Sequence, residues 1–88
     1  MSEPHSNSTH ARILTLIERI LERPAGSAPL PAAARMNELG MSSMKMISLM
    51  LAIEVEFNLA IPQSDITPDN FESIASVEST VNRLLAAG

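Results

Sequence analysis

The sequence predicts an all-α bundle of four helices, the third very short, with a long loop between the first and the second. Three observations carry that prediction. Apolar residues recur at helical spacing in separate stretches, hydroxyl residues stand where helices start, and no run of useful length alternates with the period of two that a half-buried strand requires. The chain has 88 residues, enough for one domain whose fold buries only ~60 to 65% of the surface its unfolded chain exposes.

Residues 1–8 are polar, carry Pro4 and have nothing to bury, so they are expected to be a flexible lead-in to a domain over residues 9–88. Ser8 or Thr9 then caps a first helix. In it Ile13, Leu14, Leu16, Ile17, Ile20 and Leu21 share one side, while Glu18, Arg19, Glu22 and Arg23 fill the other. Pro24 ends it, and Pro29, Pro31 and Gly26 keep the chain from resuming a helix. The resulting loop of roughly 18 residues is long enough to be functional or disordered. A second helix begins near Ser42 or Ser43 and runs to about Asn58, stopped by the exit before Pro62. Thr67-Pro68-Asp69-Asn70-Phe71 reads as a cap with proline in the first turn, predicting a third helix of one or two turns. Being short, it is expected to be the least stable element. Ser76 is expected to cap the last helix, which carries Val77, Val81, Leu84 and Leu85.

Composition narrows the function. Ten acidic against six basic side chains give a net charge of −4, which disfavours nucleic acid, whose binding depends on neutralising phosphates. With two Phe and no Trp or Tyr, there is no platform for stacking bases. The chain has no cysteine, so it has neither a disulfide nor a thiolate metal site. No apolar run approaches the ~18 residues of a membrane span, and the N-terminus lacks the regions of a secretory signal. The expectation is a cytoplasmic, soluble monomer with no membrane or metal role. A chain this short has few residues to wall a catalytic cleft. Glu54 and Glu56, two apart on one helix, diverge and cannot form an acid and base pair, so no catalytic residue is assigned.

The second helix has two apolar faces. At 100° per residue, Met46, Leu49, Met50, Ile53 and Phe57 fall in one arc, the expected core face. Met44, Ile47, Leu51 and Val55 form a second stripe roughly opposite, with Glu54 beside it. One reading is a helix buried on all sides. The other, which the small number of covering elements favours, is that the stripe stays exposed and meets partner proteins, a task to which Met is well suited.

At the start of that helix stands Leu39-Gly40-Met41-Ser42-Ser43-Met44. Capping explains one serine, but two are present. A hydroxyl at a helix N-terminus is also well placed to carry a phosphodiester, because free amides and the positive end of the dipole favour an anion there. Later come Glu54-Val55-Glu56-Phe57-Asn58-Leu59-Ala60-Ile61-Pro62. Together these segments resemble the acyl carrier protein family, including its peptidyl and aminoacyl carriers, whose pattern is Leu-Gly-x-Asp-Ser-Leu followed by a helix ending Glu-x-x-Phe-x-x-x-Ile-Pro. The spacing matches without a gap, and Ile66 to Ile74 look like the stretch before that family's last helix.

The resemblance implies that Ser43 takes a 4′-phosphopantetheine arm from coenzyme A through a phosphopantetheinyl transferase. The arm's thiol then holds an acyl or aminoacyl group as a thioester. Partners would be a cognate ligase or acyltransferase and downstream biosynthetic enzymes, met through Met44, Ile47, Leu51, Glu54 and Val55. The sequence departs from the family pattern in having Ser42 where Asp is usual, Lys45 near the helix start, and Ser48 and Val55 in place of common carboxylates. These departures point to a specialised carrier that leans on apolar contact. A cofactor-free helical adaptor explains the two-faced helix equally well but leaves both motifs to coincidence. Ser42-Ser43-Met44-Lys45 also matches Ser-x-x-Lys, but the other elements of that enzyme class are missing.

Overall fold

The computed structural model describes residues 8–24 and 26–87. Apart from Ser8, the expected lead-in lies outside these residues. Three α-helices, α1 (Thr9–Ile20), α2 (Ser43–Phe57) and α3 (Ile74–Ala87), are joined by connections containing single 3-10 turns at Asn37–Leu39 and Gln63–Asp65.

Helix α1 starts at the expected hydroxyl, where Ser8 Oγ accepts a hydrogen bond from Ala11 N at 3.1 Å. It ends before Pro24, with Glu22 in the left-handed region at φ 57°. The Arg23 amide donates to the Glu18 carbonyl and the Glu22 amide to the Arg19 carbonyl, both at 3.1 Å, which is the paired closure that normally uses glycine. Glu22→Gly is therefore expected to raise stability by about 0.5–1 kcal/mol by relieving the Cβ clash of that conformation. An increased midpoint in urea at unchanged slope checks this; no gain would mean that the Glu22 side chain offsets the strain.

The core is assembled from all three helices. Ile13, Leu16 and Ile17 of α1 meet Leu49, Ile53 and Phe57 of α2 and Ile74, Val77 and Val81 of α3, and all are buried. The connections add Leu30, Met36, Met41, Ile61 and Phe71. The long loop is thus anchored to the core at Leu30 and Met36. Helix α1 packs against both other helices. Arg12 fixes one contact: its guanidinium lies 4.3 Å from the centre of the Phe57 ring, its Nε donates to Glu56 Oε2 at 2.8 Å, and a terminal nitrogen donates to the Glu56 carbonyl at 2.7 Å. That arrangement satisfies the carbonyl near the α2 C-terminus, where a cation also suits the helix dipole.

The expected third helix does not form. The cap is present, since Thr67 Oγ1 accepts from Asn70 N at 3.2 Å, but residues 68–71 make only a turn closed by Phe71 N to the Pro68 carbonyl at 3.3 Å. Two competing demands stop it after one turn: Phe71 is buried in the core, and Ser73 already belongs to the next element. A nucleus with no residues left for propagation gains nothing from helical closure. The bundle among the described residues therefore has three α-helices rather than four.

Helix α3 also begins earlier than its sequence suggests. Ser73 Oγ, not Ser76, supplies the capping acceptor, taking the Ser76 amide at 3.1 Å, while the two hydroxyls pair at 2.9 Å. Just before this cap the chain is stitched to the long loop by an antiparallel bridge between Arg35 and Ser73. Met36 N donates to the Glu72 carbonyl at 2.9 Å, Ile74 N to the Ala34 carbonyl at 3.2 Å and Ala75 N to the Ala32 carbonyl at 2.9 Å.

Candidate functional site

The site is built around the start of α2. Gly40 closes the 3-10 turn at φ 84°, a conformation that an L side chain adopts only with strain. The Met41 amide then returns to the Met36 carbonyl at 3.1 Å, with both methionine side chains buried. This turn delivers the two serines to different positions. Ser42 is extended (φ −73°, ψ 169°) and is the N-cap, its Oγ accepting from Lys45 N at 3.2 Å. Ser43 is the first helical residue and is exposed. Its hydroxyl has no hydrogen-bond partner among the described residues, so the capping role and the free hydroxyl fall on separate side chains.

The second stripe of α2 is exposed along its length. Met44 retains 74% of its accessible surface, Ile47 52%, Leu51 58% and Val55 84%. On the opposite side Leu49, Ile53 and Phe57 are buried, as the core arc requires, but Met46 and Met50 of that arc are only half-buried. They border a groove instead. Glu54 stands beside the stripe with one oxygen engaged, Oε2 accepting from Ile61 N at 2.8 Å. Its carbonyl takes the Asn58 and Leu59 amides where Asn58 turns left-handed at φ 52°, a conformation Asn tolerates. Glu54 thus holds the exit turn that precedes Ile61 and Pro62.

The groove, of ≈ 420 Å³, opens beside Ser43. Met36, Met41, Met46, Met50 and Phe71 give it apolar walls, Ile47 belongs to both groove and stripe, and Arg35, Asn37 and Glu72 bring polar groups to it. Arg35 and Glu72 approach to 3.5 Å as a solvent-exposed ion pair, which contributes little to stability. The sequence places Ser43 at the start of the second helix and the stripe on its uncovered side, as the structure has them, but gives no sign of this groove. Residues from positions 35 to 72 meet there only because the backbone bridge joins the long loop to the α3 entry. Among the described residues, no helix is long and apolar enough to cross a membrane.

Residues 11–84 match the sequence family described as the phosphopantetheine attachment site. The chain is similar to two proteins of Bradyrhizobium diazoefficiens. Aminoacyl carrier protein 1 is 44% identical over 70 residues, covering 80% of this chain and 78% of the relative. Aminoacyl carrier protein 2 is 39% identical over 77 residues, covering 88% and 86%. Among solved structures it resembles a chain in the Bradyrhizobium japonicum glycine:[carrier protein] ligase complexed with glycylated carrier protein (TM-score 0.68, 41% identity, 83% of this chain and 99% of that one). It also resembles one in the same ligase complexed with its cognate carrier protein and an analogue of glycyl adenylate (TM-score 0.68, 37% identity, 92% and 100%).

Proposed function

Because this chain belongs to the acyl carrier protein family, we propose that Ser43 is the residue that bears its 4′-phosphopantetheine arm. The observation that carries this assignment is the division of labour between the serines. Ser42 spends its hydroxyl on the Lys45 amide, whereas the Ser43 hydroxyl is exposed at the first helical position. A phosphodiester placed there meets free helix amides and the positive end of the dipole.

The protein is a phosphopantetheine-dependent carrier with a specialised aminoacyl role. Cargo rides as a thioester on the arm's thiol, which suits a chain with no cysteine of its own. The carrier is acted upon by others: a transferase that installs the arm, a ligase that charges it, and an enzyme that takes the aminoacyl group onward. All meet it in the cytoplasm, with the carrier as a monomer. Met44, Ile47, Leu51 and Val55 are the docking stripe, with Glu54 at its edge holding the turn that ends it. The stripe is apolar, and the one charge in the first turn of α2 is Lys45, so partner choice rests on shape and apolar contact more than on charge steering.

Likeness to carriers in ligase complexes points to a small amino acid, glycine above all, as cargo. The arm-bearing protein, incubated with glycine, ATP and a glycine:[carrier protein] ligase, is expected to gain a glycyl group that hydroxylamine removes, as a thioester requires. No glycyl adduct, together with ready loading of a fatty acyl group by an acyl ligase, would reject the aminoacyl assignment.

A further inference from the structure

Resting on the reading of Met44, Ile47, Leu51 and Val55 as the docking stripe, we propose that Met44 is a site of reversible oxidation, where a hydroperoxide switches partner docking off without disturbing the fold. All but one of the six methionines stand between Met36 and Met50, and the fold ranks them by access. Met36 and Met41, which pack the turn before Ser42, are only 2% and 9% exposed. Met46 and Met50 are half-buried at the groove. Met44 is the exposed one, at 74%. Within this segment an oxidant arriving from solvent therefore meets the Met44 thioether first. The chain has no cysteine to intercept it, and once the arm is charged its own sulfur is tied up in the thioester.

The chemistry needs only the hydroperoxide as co-reactant. A lone pair on the Met44 sulfur attacks the terminal peroxide oxygen, the O–O bond breaks, and the leaving oxygen takes up the hydroxyl proton to depart as water or an alcohol. Sulfur is oxidised by two electrons and the peroxide reduced by two. Sulfoxide reductases reverse the change with a dithiol, which becomes a disulfide as the oxygen leaves in water. The consequence depends on where Met44 lies. It follows Ser43 directly and opens the stripe, whose other members, Ile47, Leu51 and Val55, carry no sulfur. A partner covering the stripe must then bury a strongly polar S–O group against apolar surface without a hydrogen bond. The bundle is indifferent, because so exposed a side chain contributes little to the core. Oxygen on Met36 or Met41 would break the packing instead, but burial shields both. Mild peroxide thus acts at the docking face before it reaches the core.

The test treats the arm-bearing protein, its thiol capped as a mixed disulfide, with hydrogen peroxide until peptide mass mapping shows about one oxygen added within residues 36–50. The arm is then uncapped with dithiothreitol and charging by the cognate ligase is measured. The oxygen is expected on Met44 ahead of Met36, Met41, Met46 and Met50, with helical circular dichroism unchanged. Charging should fall about tenfold or more in kcat/KM, the effect of one unpaired polar group in an interface, and methionine sulfoxide reductases should restore it. Met44→Leu, compared with its own untreated sample, should keep its rate through the same treatment. Oxygen arriving first on Met46 or Met50, an equal peroxide loss in Met44→Leu, or a Met44 sulfoxide that charges as before each overturns the switch. Leu51→Glu separates the two readings. If it impairs charging while the sulfoxide does not, the docking stripe stands and the switch alone falls; if neither change impairs charging, both fall.

Discussion

Ser43→Ala is expected to abolish phosphopantetheine attachment, while Ser42→Ala is loaded. Co-expression with a transferase and intact-mass measurement separate the two. The contrast follows from backbone conformation. Ser42 sits outside the helix with its hydroxyl turned back onto the Lys45 amide, so removing it costs about 1 kcal/mol of helix stability and leaves the neighbouring hydroxyl in place. Ser43 makes no such bond among the described residues, and its removal deletes the proposed nucleophile without weakening the fold. Equal loading of Ser43→Ala would reject the site. Failure of Ser42→Ala in a folded protein would show that the cap itself is read by the transferase.

Leu51→Glu is expected to cut charging by the cognate ligase about 30-fold or more in kcat/KM while helical content stays as in the wild type. A residue that anchors an interface contributes ~2 kcal/mol or more, and a carboxylate placed against an apolar partner adds a desolvation cost. The fold is insensitive because Leu51 is 58% exposed, where substitutions usually stay within about 0.5 kcal/mol. Ile53, two residues on, is fully buried, and the same change there would unfold the bundle. A loss of helicity in Leu51→Glu would place that residue in the core. Unchanged charging would move the docking face elsewhere.

The local features were legible in the sequence because they depend on neighbours. Ser8 and Gly40 mark element ends through their own side-chain chemistry or its absence, and the separation of Leu49 and Ile53 from Leu51 and Val55 follows from helical period alone. The third helix was misread because its local signals were genuine. Thr67 does cap, but the burial of Phe71 and the claim of α3 on Ser73 are tertiary facts that override propensity. The shift of the α3 cap from Ser76 to Ser73 has the same origin, since two hydroxyls three residues apart offer equivalent caps until the bridge to Arg35 selects one. Met46 and Met50 matched a core arc by phase, yet phase gives direction and not cover. The element above them is a gap between the loop and the turn, which no periodicity encodes.

The bridge between Arg35 and Ser73 also ties the surroundings of Ser43 to the tertiary fold. It joins segments nearly forty residues apart through main-chain hydrogen bonds, so it pays the loop-closure entropy of a distant contact, whereas α1, α2 and α3 each close on local bonds. The wall on one side of Ser43 accordingly exists only where the tertiary fold is formed. An incompletely folded chain presents a serine on a nascent helix but lacks the surroundings that a mature carrier gives it. Maturation of the chain is thus recorded at the residue proposed to carry its arm.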